Sequence, residues 1–131
     1  MVFPVHPRTR GKLEAFGVDW LDKAAGIRLT DPLGYYEFMN LVFNSRLIIT
    51  DSGGVQEETT FLQIPCLTIR PNTERPVTIT EGTNRLCTAG QLGEMADAIL
   101  AGKFEKGNVP ALWDGNTARR VADDLEARFL S

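Results

Sequence analysis

The feature that most limits how this chain can fold is a regular alternation of short apolar runs with helix-like segments. Each apolar run is bounded by Gly, Pro, Asp or Asn, which is typical of strands. The longer segments between the runs carry the residue spacing of helices. The predicted strands are residues 2–5, 27–30, 46–50, 66–69 and 85–88, and the predicted helices are residues 9–16, 34–43, 54–63, 76–81, 91–101 and 117–130.

This alternation predicts an α/β fold. Strands separated by helices at this spacing form a parallel sheet through right-handed crossovers, with helices on both faces. With 131 residues, 43% of them hydrophobic, the chain is long enough for one core and too short for two. We therefore expect a single domain over residues 1–131. It should be a three-layer, doubly wound parallel sheet in which the last helix buries Val121, Leu125 and Phe129.

Charge and composition argue against several classes of partner. The formal net charge is -3 and Lys and Arg form no cluster, which argues against nucleic acid. Cys66 and Cys87 stand in apolar strand-like runs, so we expect buried reduced thiols rather than a disulfide or a metal site. No apolar stretch approaches the roughly 20 residues that cross a bilayer, and the N-terminal residues lack the pattern of a signal peptide. We expect a soluble, cytoplasmic protein with no membrane contact.

Polar loops follow four of the predicted strands and should share one edge of the sheet. They are His6, residues 31–34, residues 51–54 and residues 70–75. Doubly wound sheets bind their ligands at the carboxyl ends of the strands. This edge is therefore the predicted site.

The segment DSGGVQEE, residues 51–58, joins the third strand to the third helix. A helix N-terminus presents unpaired N–H groups and partial positive charge, and the missing side chains at Gly53 and Gly54 let a phosphate approach them. Ser52 adds a hydroxyl group, and Glu58, one turn beyond Gly54, suits the two hydroxyls of a ribose. The segment therefore predicts a site for a nucleoside diphosphate.

Two other interpretations of this segment stay open. In the first, Ser52 caps the helix of a tight connection, and Glu57 and Glu58 are solvated first-turn residues. In the second, Ser52 is the nucleophile of a serine hydrolase. That motif needs glycine where this chain has Thr50, and His6 precedes the serine against the usual order, so the second is disfavoured. A P-loop is excluded because its Gly-Lys-Ser/Thr ending is absent.

Three residues outside this segment are further candidates. Arg75 precedes a proline, which keeps it out of a helix, and its planar guanidinium suits a diphosphate. The alternative for Arg75 is a surface position paired with Glu74 or Glu81. Phe38 either stacks on a base or packs into the protein core with the apolar stripe of its helix. His6 is either a ligand contact or a capped loop histidine.

The motifs PVHP, DPLGYYEF, DSGGVQEE and TERPVTITEGTNRL, in this order between about Val2 and Leu86, resemble one family closely. They are similar to those of the non-hydrolysing UDP-N-acetylglucosamine 2-epimerases of bacteria, which have the two-lobed GT-B fold with the active site between the lobes. The chain resembles most of the C-terminal, Rossmann-like lobe without its first central strand. The resemblance implies that the sheet either closes up between the first and third predicted strands or keeps an unpaired groove there.

The resemblance also implies a role for each candidate residue. Ser52, Gly53 and Gly54 match the phosphate-binding turn, and Arg75 matches a diphosphate contact. Glu58 matches the ribose ligand, and Phe38 matches a neighbour of the uracil. His6 matches a histidine that contacts a second, regulatory UDP-N-acetylglucosamine in some members. The implied chemistry is inversion at C2 of the sugar through anti elimination of UDP and its readdition, with no cofactor or metal. The proton-handling groups of the family lie upstream of the matched motifs. We therefore expect no catalytic residue in this chain and no activity of the chain alone.

The partners implied by the resemblance are UDP, UDP-N-acetylglucosamine and an N-terminal lobe, in the same or a separate chain. The intact protein is expected to form a homodimer and to serve cell-surface polysaccharide biosynthesis. Two alternatives stay open: a nucleotide-sugar-binding module without catalysis, and the donor lobe of a GT-B glycosyltransferase. The second alternative is disfavoured because TERP followed by EGTNRL resembles the epimerases.

Overall fold

The computed structural model describes residues 1–18 and 26–129, and within them strands and helices alternate as predicted. The strands are β1 (Val2–Pro4), β2 (Arg28–Thr30), β3 (Ile48–Thr50), β4 (Cys66–Thr68) and β5 (Asn84–Leu86). The helices are α1 (Pro7–Ala15), α2 (Tyr35–Phe43), α3 (Gly53–Leu62), α4 (Val77–Thr80), α5 (Leu92–Leu100) and α6 (Thr117–Phe129). Each predicted element is found at its predicted place, with small differences at its ends. The predicted end of the last helix, Leu130, lies outside the described residues.

Contacts group the chain into two compact units, Met1–Leu41 and Val42–Ser131. In the first unit β1 and β2 pair in parallel, and the N–H group of Val5 extends the pairing to the carbonyl of Thr30 at 2.9 Å. Helix α1 follows at once, and Pro7 at its first turn has the backbone angle that a helix start needs. A single domain over residues 1–131 stays a prediction.

The second unit contains a three-stranded parallel sheet in the order β3, β4, β5. All residues of the central strand β4 are buried, which a parallel strand covered on both faces requires. Leu67 of β4 packs with Cys87 and Ile99 in the hydrophobic core. Partly buried side chains complete this core: Leu47, Leu92, Met95, Ala96 and Phe104.

Cys66 and Cys87 are both free, buried thiols, as the sequence predicted. Burial raises the pKa of each thiol above its ordinary value. Both groups therefore stay protonated at neutral pH, and neither has the depressed pKa that a reactive cysteine needs.

The prediction of an α/β fold with parallel strands is confirmed, but the described strands form two sheets rather than one. β1 pairs with β2, and β3 pairs with β4. Closure of the sheet between the first and third predicted strands, and the alternative of an unpaired groove there, both stay predictions, because the two strands belong to separate compact units.

The prediction that α6 buries Val121, Leu125 and Phe129 is wrong. Their exposed fractions are 52%, 50% and 76%, and no residue of α6 is buried. The apolar stripe exists at the predicted spacing, but periodicity shows which face of a helix is apolar and not which surface covers it. Neither α6 nor any other described helix is long and apolar enough to cross a bilayer.

Residues 103–116 contain no helix or strand, but they pack closely on the turn before β5. A Cβ atom added at Gly107 would overlap the carbonyl oxygen of Gly82. The N–H group of Asn108 donates to the carbonyl of Glu81 at 2.6 Å. The loop therefore holds the turn between α4 and β5 in place.

Candidate functional site

Helix α3 follows β3 in the chain after a two-residue turn, at the carboxyl edge of the three-stranded sheet. Ser52 is its N-cap residue, with extended backbone at φ -84° and ψ 128°, but its side chain makes no capping hydrogen bond. The N–H group of Ser52 donates to Oγ1 of Thr50 at 3.0 Å. Ser52 therefore occupies the cap position, as one alternative proposed, while the helix makes no use of its exposed side chain.

Gly53 and Gly54 open α3, and no contact among the described residues requires that either lacks a side chain. A Cβ atom at Gly54 would have no atom within 4 Å, and one at Gly53 would meet only Cγ of Arg75, at 4.0 Å. The N–H groups of Gly53, Gly54 and Val55 have no acceptor inside the helix, because their acceptors would precede its first turn. Glycine is a poorer helix former than alanine, so the two glycines weaken the start of the helix. In return, the backbone donors are open to an anion.

Arg75 lies beside this turn and is held by α3. Its Nε atom forms an ion pair with Oε1 of Glu57 at 3.0 Å, and its Nη1 atom donates to the carbonyl of Glu74 at 3.4 Å. Arg75 therefore does form an ion pair, as the alternative interpretation expected, but the partner is Glu57 and not Glu74 or Glu81. The two paired side chains are 43% and 41% exposed, so the ion pair adds at most about 1 kcal/mol to stability. A guanidinium this exposed keeps donors for an anion.

Glu58 is a half-buried residue of α3, four positions after Gly54 and therefore on the same helix face. Within residues 1–18 and 26–129, no hydrogen bond or ion pair engages its carboxylate. An unengaged carboxylate one turn behind open N–H groups suits hydroxyl groups of a ligand whose phosphate lies at the helix start. Its role as a ribose ligand stays a prediction.

His6 and Phe38 belong to the other compact unit, Met1–Leu41, whereas the remaining candidates belong to Val42–Ser131. His6 is the N-cap of α1, where its Nδ1 atom accepts a hydrogen bond from the N–H group of Arg8 at 3.2 Å. His6 therefore caps α1 through Nδ1, and its contact with a ligand stays a prediction. Phe38 is half-buried on α2, and its contact with a base stays a prediction.

Behind the start of α3 lies a group of buried polar side chains that the sequence interpretation missed. Gln56, Thr59 and Thr60 of α3 are fully buried, as are Thr68 of β4 and Asn84 of β5. Oγ1 of Thr68 donates to Oδ1 of Asn84 at 2.7 Å, which links the two strands through their side chains. The missed signal is the spacing of Gln56, Thr59 and Thr60, which places polar residues on one face of a helix where apolar residues are usual.

The chemistry that this arrangement offers is recognition. Open N–H groups and a guanidinium bind an anion, and a neighbouring carboxylate accepts hydrogen bonds from hydroxyl groups. No cluster of three or more His, Cys, Asp or Glu side chains in the described part of the chain could hold a metal ion. The arrangement therefore fits a ligand in which a phosphate group adjoins a polyol.

A parallel α/β fold with a glycine turn at a helix N-terminus defines a broad class of phosphate-binding proteins. A narrower assignment follows from comparison with known families. The family model described as UDP-N-acetylglucosamine 2-epimerase matches residues 1–126, and the chain belongs to this family. The resemblance drawn from the motifs is confirmed.

Three relatives illustrate the match. The UDP-N-acetylglucosamine 2-epimerase of Methanococcus maripaludis is 49% identical over 87 residues, which are 66% of this chain and 24% of that protein. The UDP-2,3-diacetamido-2,3-dideoxy-D-glucuronate 2-epimerase of Pseudomonas aeruginosa is 37% identical over 127 residues, which are 95% of this chain and 34% of that protein. The crystal structure of Methanocaldococcus jannaschii UDP-GlcNAc 2-epimerase in complex with UDP-GlcNAc and UDP matches with 38% identity and a TM-score of 0.80, over 96% of this chain and 35% of that one.

The chain thus spans about a third or less of the length of these relatives. The likeness in structure bears out the expected fold, an α/β arrangement like the C-terminal lobe of GT-B proteins. It extends over nearly the whole chain, well beyond the part between Val2 and Leu86 in which the motifs lie.

Proposed function

We propose that this chain supplies the UDP-binding part of a UDP-N-acetylglucosamine 2-epimerase, which interconverts UDP-GlcNAc and UDP-ManNAc. The observation that carries the proposal is the start of α3, where two glycines that no described contact requires stand beside Arg75. Family membership supports it, as does the likeness to an enzyme whose structure contains UDP-GlcNAc and UDP.

In this proposal the diphosphate lies at the start of α3. The N–H groups of Gly53 and Gly54 and the hydroxyl of Ser52 donate to its oxygens, and Arg75 neutralises part of its charge. As UDP leaves the sugar, negative charge develops on the diphosphate, and these fixed donors stabilise it without having to reorganise. Glu58 accepts hydrogen bonds from the ribose hydroxyls and so fixes the nucleoside.

The two candidates of the first unit have separate roles in the proposal. Phe38 contacts the uracil ring, for which a half-buried aromatic side chain is suited. His6 contacts a second, regulatory UDP-N-acetylglucosamine through its exposed ring. The bond that His6 accepts from Arg8 uses Nδ1 and leaves Nε2 for this contact.

Proton transfer at C2 of the sugar is assigned to an N-terminal lobe, in the same chain or a separate one. General acid and base catalysis needs groups within hydrogen-bond reach of C2, and the site described above is built for recognition. We accordingly propose that the chain alone binds UDP without epimerising UDP-GlcNAc, and that the complete enzyme is a homodimer. The free, buried cysteines favour the reducing cytoplasm as its compartment.

The proposed contacts recognise the nucleotide of the substrate and not its sugar. The substrates named for the relatives from M. maripaludis and P. aeruginosa carry different sugars, and both carry UDP. The residues assigned here all address the nucleotide. UDP-GlcNAc is the proposed substrate because the chain belongs to the UDP-N-acetylglucosamine 2-epimerase family and resembles an enzyme whose structure contains UDP-GlcNAc.

Calorimetric titration of the chain with UDP tests this function. We expect saturable binding that Arg75→Ala weakens by about 10-fold to 100-fold, which corresponds to the loss of a charge-assisted hydrogen bond. Glu58→Ala should weaken UDP binding by about 10-fold through loss of the ribose contact. The matched control is Arg119→Ala on α6, where Arg119 pairs with Asp123 at 3.8 Å and takes no part in the site.

Absence of UDP binding to the wild-type chain would contradict the proposal, as would UDP binding that neither Arg75→Ala nor Glu58→Ala weakens. An assay for UDP-ManNAc made from UDP-GlcNAc addresses the second part. Turnover by the purified chain alone would disprove the assignment of proton transfer to another lobe.

A further inference from the structure

The backbone of Arg75 is held in place by a closed ring of hydrogen bonds. Its N–H group donates to Oγ1 of Thr73 at 3.0 Å, and Oγ1 of Thr73 donates to Oε1 of Gln56 at 2.6 Å. Its carbonyl accepts from Oγ1 of Thr78 at 2.7 Å, and Oγ1 of Thr78 accepts from Nδ2 of Asn84 at 3.1 Å. The same Nδ2 atom donates to Oε1 of Gln56 at 3.1 Å, and this bond closes the ring. These five residues form the polar ring.

The polar ring is anchored in the interior and opens to solvent at Arg75. Gln56, Thr78 and Asn84 are completely buried, Thr73 is half-buried, and the side chain of Arg75 is 43% exposed. The ring members come from α3, α4, β5 and the loop after β4. Because three of its members are fully buried, a displacement of the ring would leave further buried donors or acceptors without partners in addition to Nε2 of Gln56, which disfavours such a displacement.

Stability alone does not account for the polar ring. Apolar side chains of similar volume would fill the same space at no loss of stability, since a buried hydrogen bond has a small net value. Hydrogen bonds, unlike apolar contacts, fix the orientation of the groups that they join. With both its N–H and its C=O fixed, Arg75 has a defined backbone, and its side chain leaves that backbone toward Gly53, where its Cγ atom lies 4.0 Å from the position of an added Cβ.

The fixed orientation of Arg75 matters for anion binding because a free arginine side chain loses about 2 kcal/mol of rotamer entropy when it is immobilised. The ion pair with Glu57 fixes the guanidinium end at 3.0 Å, and the polar ring fixes the backbone end. A guanidinium already held beside the open N–H groups has less entropy to lose when a diphosphate arrives.

We infer that the polar ring positions Arg75 for the diphosphate, with Thr73 and Gln56 as positioning residues that themselves touch no ligand. This inference rests on the proposed function. Thr73 is the member best suited to a test, since its hydroxyl is the single link between the N–H group of Arg75 and the amide of Gln56. It is also only half-buried, and valine has nearly its shape.

The experiment is a double-mutant cycle on UDP affinity in the full chain, with Thr73→Val, Arg75→Ala and the pair combined. Thr73→Val should weaken UDP binding by about twofold to tenfold, the equivalent of one lost hydrogen bond. In the Arg75→Ala background it should have no further effect. Thr73→Ser, which keeps the hydroxyl, should restore affinity to within about twofold of wild type. Thermal unfolding and circular dichroism check the fold of each variant, and Thr73→Ala replaces Thr73→Val in the cycle if the latter unfolds.

The outcomes separate this inference from the proposed function. If Arg75→Ala weakens UDP binding and Thr73→Val does not, the inference is overturned while the proposed function stands. Equal losses from Thr73→Val in the presence and absence of Arg75 would overturn it as well, because Thr73 would then act by another route. A wild-type chain that does not bind UDP overturns both.

Discussion

Gly82→Ala is expected to lower the free energy of unfolding of this chain by about 3 kcal/mol. Gly82 is buried between α3, α4 and the loop that follows α5. An added Cβ atom would lie 2.5 Å from Cγ2 of Thr60 and 2.6 Å from the carbonyl oxygen of Thr78. The first contact could be relieved by a side-chain rotation, but the second is with backbone, so the turn itself must move.

The control for this prediction is Gly93→Ala. Gly93 lies in α5, is exposed, and has no atom within 4 Å of an added Cβ, so alanine should raise the free energy of unfolding by about 0.5–1 kcal/mol. Urea unfolding followed by circular dichroism measures both changes. Gly82→Ala with wild-type stability would mean that the turn before β5 is looser than its contacts indicate.

Asn84→Ala is expected to lower the free energy of unfolding by a similar amount, about 3 kcal/mol. The side chain of Asn84 is fully buried and makes hydrogen bonds to Thr68, Gln56 and Thr78. Alanine would remove these bonds together, would leave their buried partners unsatisfied, and would leave a cavity between β4 and α4. Each unsatisfied group costs about 1–3 kcal/mol, and relaxation of the neighbours recovers part of it.

Asn72→Ala is the matched control, because Asn72 is exposed in the loop after β4 and its removal should change stability by less than about 0.5 kcal/mol. The same urea titration compares the two variants. Should both asparagine variants prove equally stable, the side chain of Asn84 would have no structural role, and the polar ring would lose the group that closes it.

The start of α3 could be predicted from the sequence because local rules decide it. An apolar run followed by a serine and two glycines indicates where a strand ends and a helix begins, and it also indicates that the helix start is open. The structure adds what is not local. The carboxylate that Arg75 contacts belongs to Glu57, far away in sequence, and no spacing rule selects Glu57 over Glu74 or Glu81.

The polar ring escaped prediction for the same reason. Gln56, Thr73 and Asn84 lie in three separate segments, and only the pairing of β4 with β5 and the packing of α3 bring them together. The exposed stripe of α6 shows the opposite case. Its apolar spacing was identified correctly, yet burial depends on a covering surface that a helix pattern does not specify.

The central claim is that the start of α3 binds the diphosphate of UDP. A titration of the isotope-labelled chain with UDP, followed by NMR of its backbone amides, tests this claim most directly. We predict that the amide signals of Gly53, Gly54 and Val55 shift together and saturate, while those of Gly93 and Gly102 stay unchanged. Saturable binding of UDP with these three amide signals unmoved would contradict the claim, because the ligand would then lie elsewhere on the chain.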